Sequence, residues 1–440
     1  MDHSRRTALK SLAVASATVA ARAQGNSVDQ DTVHLDDGHQ VIDNFAASDC
    51  WSMQKVGGWS METRQRVANL LFSDRDGIAL SCWRFNIGGG INPQITDSWR
   101  TAETFEVSRG KYDWSRQPNE RWFLGAAKSL GVPQFLAFVN SPPGRLTRNG
   151  LTFCDPGSGT TNLKPGAEDE YGRYLGDILE HFAHAQDPAE RISFDYISPV
   201  NEPQWDWSKH AQEGNRASNR DIKAIIQAVA LELEKRRLST QIASLESGSL
   251  PDMWQVNKKS SQRWGGEYGN YIDSFLGDPG VNGLMSGRIG YHAYGSDRLD
   301  GALVTNREQL GKKMEQYPSW KLWQTEYCVM EGSEGEGGGG RDLTMKTAGS
   351  GTRDPSGFER GGRVGVAVVD CTFACGLQGR LDLYGLEEGG RCRDNLSGED
   401  TLGAGELQPV CATGNAACEL TGHATRCARA DGLGVQERDR

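Results

Sequence analysis

Seven short apolar runs, spaced by amphipathic stretches and turns, fill residues 41–327 and fix the kind of fold this chain can adopt. The runs are VIDNFAASD, IALSCWRFNIG, QFLAFVNS, FDYISPVN, TQIASLES, GRIGYHAYG and KLWQTEY. Between them lie helical patterns such as ETRQRVANLLF, EDEYGRYLGDILEHFAHA, NRDIKAIIQAVALELEKR and NREQLGKKMEQY. In the second of these, Tyr171, Tyr174, Leu175, Ile178, Leu179 and Phe182 recur at helical spacing and are expected to face the sheet. Strand-like and helical segments in strict alternation predict βα units with a parallel sheet, and at this length a (β/α)8 barrel. Seven strands are counted where such a barrel needs eight.

The shortfall coincides with a change in the character of the chain. After Ala348, Gly, Arg and Cys rise, periodicity is lost, and none of the 12 Trp residues occurs beyond Trp323. A flexible tail or a Cys-rich module would account for this composition. A reading-frame error accounts for more. Back-translated with allowed codons and read one base later, VGVAVVDCTFACGLQGRLDLYGLEEGG becomes SAWQWWTALSPADYKDGLIYTDWKKAG, a Trp-rich strand-and-turn sequence. On this reading the eighth strand, SAWQWW, and the closing β domain are lost to a C-terminal frameshift. Residues 349–440 are then an out-of-frame, disordered tail, and the barrel is left with open strand edges. Hydrolysis is expected only of a frame-corrected chain.

At the other end, residues 1–23 read as a twin-arginine-type signal peptide. Ser4-Arg5-Arg6-Thr7-Ala8-Leu9-Lys10 precedes a soft apolar stretch and Ala21-Arg22-Ala23, an A-x-A cleavage pattern. A disordered basic leader is the plainer alternative. The apolar stretch is too short to span a bilayer, so no membrane anchor is expected, and the mature chain is placed in the periplasm or outside the cell. A net charge of −10 with no basic stripe argues against a nucleic-acid partner. Of ten Cys, only Cys50, Cys82, Cys154 and Cys328 precede residue 349, at spacings that match no metal motif. Cys82 and Cys328 read as small buried hydrophobes.

Two of the runs end on glutamate, and the C-terminal lip of the strands is the active-site face of such a barrel. Glu202 lies in Asn201-Glu202-Pro203, with Pro203 expected to end the strand. Trp205 and Trp207 are close enough to desolvate the acid or stack on a sugar ring. As a general acid, Glu202 would protonate the oxygen leaving a glycosidic bond. Glu326 in KLWQTEY is the matching nucleophile, with Arg84 as the cation that keeps it ionised and Tyr294 as a hydrogen-bond donor to it. A retaining pair of this kind stands about 5–5.5 Å apart. Glu246 also ends a run and is the main competitor, while Glu331, Glu334 and Glu336 lie in a Gly-rich loop. Asn201 is placed to donate to a sugar 2-hydroxyl. Asn140 ends its own run before Pro142-Pro143, and Asp49 and Trp51 are placed to line a sugar subsite. His292 is equally a ligand or a satisfied core histidine. Gly88-Gly89-Gly90 lacks a dinucleotide frame and reads as room for substrate to approach. No metal and no cofactor are expected, and the only partner called for is a polysaccharide or oligosaccharide substrate bound by a monomer.

NFAASDCWSMQ, CWRFNIGGG, FVNSPP, VNEPQWDW, YHAYGSD and WQTEYC, in this order, resemble glycoside hydrolase family 30, nearest its endo-β-1,6-galactanase-like branch. The resemblance covers about residues 30–348. It implies a TIM-barrel glycosidase (residues 41–348) with the acid/base after strand four and the nucleophile after strand seven. It also implies a β-sandwich side domain, to which residues 24–40 contribute a strand, TVHLDD. The expected activity is retaining hydrolysis of β-1,6-linked galactan. A β-glucosidase, a glucosylceramidase-like enzyme, a xylanase and a non-catalytic carbohydrate-binding remnant stay open as alternatives.

Overall fold

The computed structural model describes residues 31–32, 41–294, 302–327, 364–368, 418–421 and 424–427. Eight parallel strands close into a barrel: β1 Asn44–Ser48, β2 Cys82–Asn86, β3 Gln134–Phe138, β4 Tyr196–Ser198, β5 Gln241–Ser247, β6 Met285–His292, β7 Lys321–Glu326 and β8 Val364–Val368. Each pairs with the next in sequence, and β8 lies between β7 and β1. The seven strands expected from the sequence are all present. The eighth place, expected to stand open, is taken by Val364–Val368, which pairs Val366 with both Trp323 and Asn44. The reason is local: three of the five residues of VGVAV are valine, whose β-branched side chain favours an extended strand.

Strand alternation sorts the side chains into two cores. Ala46, Cys82, Leu136, Phe138, Tyr196, Ala243 and Trp323 fill the barrel interior. Trp83, Phe85, Ile197 and Ile289 point the other way and pack against the helices. Those helices include α1 Met61–Phe72, α2 Pro118–Ser129, α3 Glu168–Ala183, α4 Asn219–Arg236, α5 Lys258–Trp264 and α6 Ala302–Met314. The aromatics expected of α3 are buried as predicted. Helix α3 meets α4 at Gly172, where an added Cβ would stand 2.7 Å from the Ala228 carbonyl oxygen. Arg236 of α4 bridges Asp177 and Glu180 of α3 beside that crossing. Ser218 and Asp221 form a reciprocal capping box that starts α4. One boundary differs from expectation. Strand β4 stops at Ser198, so Pro199 ends it rather than Pro203, and three residues separate the strand from Glu202.

A three-stranded antiparallel sheet pairs Asp31–Thr32 with Cys418–Thr421, itself paired with Ala424–Cys427. The signal-peptide residues, the loop bearing Glu331, Glu334 and Glu336, Cys328, and the rest of 349–440 lie outside the described residues.

Candidate active site

The C-terminal ends of five strands converge on one charge cluster. Strand β2 brings Arg84, the turn after β4 brings Asn201 and Glu202, β5 brings Glu246, β6 ends on His292, and β7 ends on Glu326. Arg84 donates from Nη1 to Glu326 Oε1 at 2.6 Å, and its Nη2 lies 3.3 Å from Glu246 Oε2 and donates to Asn201 Oδ1 at 3.3 Å. The Tyr294 hydroxyl donates to the other Glu326 oxygen at 3.1 Å. His292 Nδ1 stands 2.9 Å from Glu202 Oε1 and 3.3 Å from Glu326 Oε2, while its Nε2 stands 3.0 Å from Glu246 Oε2. One oxygen of Glu202, one of Glu326 and a His292 nitrogen all fall within 4.8 Å of one another.

Backbone geometry at the rim holds these groups in place. Glu202 and Glu246 both adopt left-handed φ, +43° and +55°, and the Glu202 N–H donates to the Glu246 carbonyl at 2.9 Å. Non-glycine residues in this region cost on the order of 1 kcal/mol each, a strain that concentrates where side chains must be aimed. The Trp207 indole donates to the Glu202 carbonyl at 2.9 Å. Gly248 leaves the acid its space, since an added Cβ would lie 2.7 Å from Glu202 Oε1 and 2.2 Å from Trp205 Nε1.

Burial opposes the charges of Arg84, Glu246 and His292, and neighbours of opposite sign overcome it. For Arg84, desolvation favours the neutral form, but Glu246 and Glu326 hold the guanidinium charged. For Glu246, burial raises the pKa, yet Arg84 and His292 bring it down to about 2. For His292, burial lowers the pKa, but Glu326, Glu202 and Glu246 push it up to about 10. The three carboxylates thus favour the charged form of His292. The trio Glu202, His292 and Glu326 has the spacing of a metal site. Within this trio Nδ1 of the ring is shared by two carboxylates, and Nε2 faces a third.

The model of O-glycosyl hydrolase family 30 matches residues 29–349. The chain belongs to that family. An endo-β-1,6-galactanase of Hypocrea rufa is 26% identical to this family 30 chain over 239 residues, which are 53% of this chain and 43% of that one. The chain thus spans less than half the length of this curated relative. A conserved exported protein from Bacteroides fragilis superposes with a TM-score of 0.64 at 26% identity, over 75% of this chain and 70% of that structure. An endo-β-1,6-glucanase superposes with a TM-score of 0.56 at 19% identity, over 75% and 65% of the two chains.

On this family 30 scaffold the structure brings most of the sequence-predicted residues together, and gives some of them other surroundings. Arg84 and Tyr294 both contact Glu326, the residue they were expected to serve. Asn201, expected to meet a sugar hydroxyl, gives one amide hydrogen to Asn140 at 3.0 Å. Asn140 in turn donates to Asn86, so it belongs to the floor beneath the cluster. Asp49, expected to line a subsite, is closed to solvent at 1% exposure. It accepts the Asn86 N–H on both oxygens, and burial raises its pKa. Trp51 is also buried, while Trp205 is 43% exposed at the rim. The glycine run differs from expectation too. A Cβ on Gly88 would meet the Glu103 carbonyl at 2.5 Å and one on Gly89 the Ser141 carbonyl at 2.9 Å, so the close approach is made by the protein's own backbone.

Three contributors were not singled out from the sequence: Asn86, Gly248 and Glu213. Glu213 is fully buried and accepts from Gly89 N, Thr101 Oγ1 and Ala102 N at 3.2, 3.0 and 2.6 Å, which ties the loop after β4 to the loop after β2. Burial lifts its pKa to about 8 against those three donors. Only the position of Gly248 just beyond a strand end hinted at its part. Nothing in its neighbours marks Glu213.

Proposed function

We propose that the chain is an exported, retaining endo-β-glycosidase that hydrolyses β-1,6-linked galactan. The observation that carries the chemistry is the sharing of His292 Nδ1 between Glu202 Oε1 and Glu326 Oε2, with the carboxylate oxygens inside 4.8 Å. Inverting carboxyl groups stand about 6.5–9.5 Å apart to admit a water between them, and the short approach of these two oxygens supports retention instead. In the first half-reaction the ionised Glu326 attacks the anomeric carbon. The glycosidic bond breaks, and its oxygen leaves with the proton carried by Glu202. In the second, water attacks the glycosyl–Glu326 ester, gives a proton to Glu202 and releases Glu326 as a carboxylate. Arg84 and Tyr294 hold Glu326 ready, one on each oxygen. The sugar and linkage rest on the likeness to the Hypocrea rufa galactanase, and export rests on the twin-arginine pattern at Arg5-Arg6.

Hydrolysis of a panel of β-1,6-galactan, β-1,6-glucan, xylan and aryl β-glucosides tests the substrate. Release of oligosaccharides from galactan well above the others is expected, and preference for another polymer would move the assignment within the family. The mechanism is tested by two variants. Glu326→Ala should abolish turnover and regain it with azide, giving a glycosyl azide of inverted configuration. Glu202→Ala should lose about 10²–10⁴-fold on substrates with poor leaving groups and far less on activated ones. Normal polymer hydrolysis by both variants would remove the assignment.

A further inference from the structure

Glu246 is a strand-end carboxylate that reaches no sugar. It is 0% exposed, and it lies under the pair proposed to do the chemistry. Its Oε2 meets two donors, His292 Nε2 at 3.0 Å and Arg84 Nη2 at 3.3 Å. A carboxylate so placed can only accept, so the hydrogen on Nε2 belongs to the histidine. The opposite nitrogen of the same ring faces Glu202 Oε1 and Glu326 Oε2, which also accept when ionised. The groups around the ring are Glu202 after β4, Glu246 on β5, Glu326 on β7 and the Tyr294 ring 5.8 Å away, with Arg84 behind Glu246 and Glu326.

From this geometry we infer that Glu246 is a positioning residue. By holding Nε2–H, it fixes His292 in the orientation and doubly protonated form in which Nδ1–H bridges acid/base and nucleophile. The inference rests on the reading of Glu202 and Glu326 given above. It explains why a buried glutamate occupies a left-handed backbone position at the end of β5. That conformation turns the carboxylate toward β6 and β2, where an extended strand would continue its alternation.

The test uses the full-length protein and the isostere Glu246→Gln, read by ¹⁵N NMR of the imidazole nitrogens and by the pH profile of kcat/KM. In the wild type, a ring that titrates at about 10 keeps both nitrogens protonated at pH 8. Removing one anion lowers that value, so the variant ring should lose its second proton at a pH about one unit or more below the wild type. The alkaline limb of kcat/KM should move to lower pH by about one unit or more, since one lost charge partner is worth about that much. At pH 5.5, where both rings are charged, the rates should converge to within about threefold. A wild-type ring singly protonated at pH 8 would overturn the inference with no variant needed. A variant ring that loses its second proton at the same pH as the wild type, or a rate loss equal at every pH, would do the same. If the protein cleaves no glycoside at all, the proposed function fails while the NMR arm still reports on Glu246.

Discussion

The charge cluster is a case in which aim matters more than residue type. Glu202 sits against Gly248 with no spare volume, since a single added carbon would intrude to 2.7 Å of its carboxyl oxygen. Gly248→Ala should therefore displace the acid. We expect kcat on poor leaving groups to fall about 10²-fold, with KM nearly unchanged and unfolding free energy within about 1 kcal/mol of wild type. Unaltered kcat would mean that Trp205 alone absorbs the methyl group. Much of this scale was legible beforehand. Glu326 and Glu202 each follow an apolar run, and Arg84 and Tyr294 are placed by the same strand-end logic. What periodicity could not give was the difference between Glu202 and Glu246. Both leave the extended conformation, so the parity that tells inside from outside along a strand breaks down at these two positions. His292 read evenly as core or ligand because it is wholly buried and yet bonded on both nitrogens.

At the scale of elements, the site depends on helices that never touch it. Helix α4 begins at Ser218, and α3 lies against it through Gly172, with the Ala228 carbonyl where a side chain would otherwise go. Gly172→Ala should push the two helices apart and lower stability by about 1–3 kcal/mol, measured by chemical denaturation. Rates per folded molecule should change little, because neither helix carries a charged group of the cluster. A loss below about 0.5 kcal/mol would show that α3 can slide to accommodate the methyl. Strands β1 to β7 and the longer helices were readable because their apolar periods are strong. Strand β4 was readable only in part, since Pro199 cuts it to three residues. Strand β8 was missed for a different reason. Its five residues are apolar enough, but the sequence around them lacks the Trp-rich, periodic character of the rest of the chain.

For the whole molecule, closure of the ring by Val364–Val368 removes the argument that an open edge must keep this chain from folding. The frame question survives in another form. The same codons read one base later put SAWQWW in the position of VGVAVV, a change from small to large side chains beside β7 and β1. Resequencing the coding DNA around codon 348 decides which strand the organism makes. Side by side, the frame-corrected protein should melt higher and turn over polymer at least about tenfold faster than the chain as written. Equal turnover would show that the identity of the eighth strand is immaterial to the chemistry.

The pairing of Arg84 with Glu326 spans 242 residues, and its other anion, Glu246, comes 162 positions after it. A growing polypeptide released from the ribosome only as far as β4 would hold a guanidinium in its interior with neither counter-ion yet made. Such a half-barrel has a strong electrostatic reason to stay uncommitted. Assembly of the site and commitment to the native state are in that sense a single event, set by when β7 emerges.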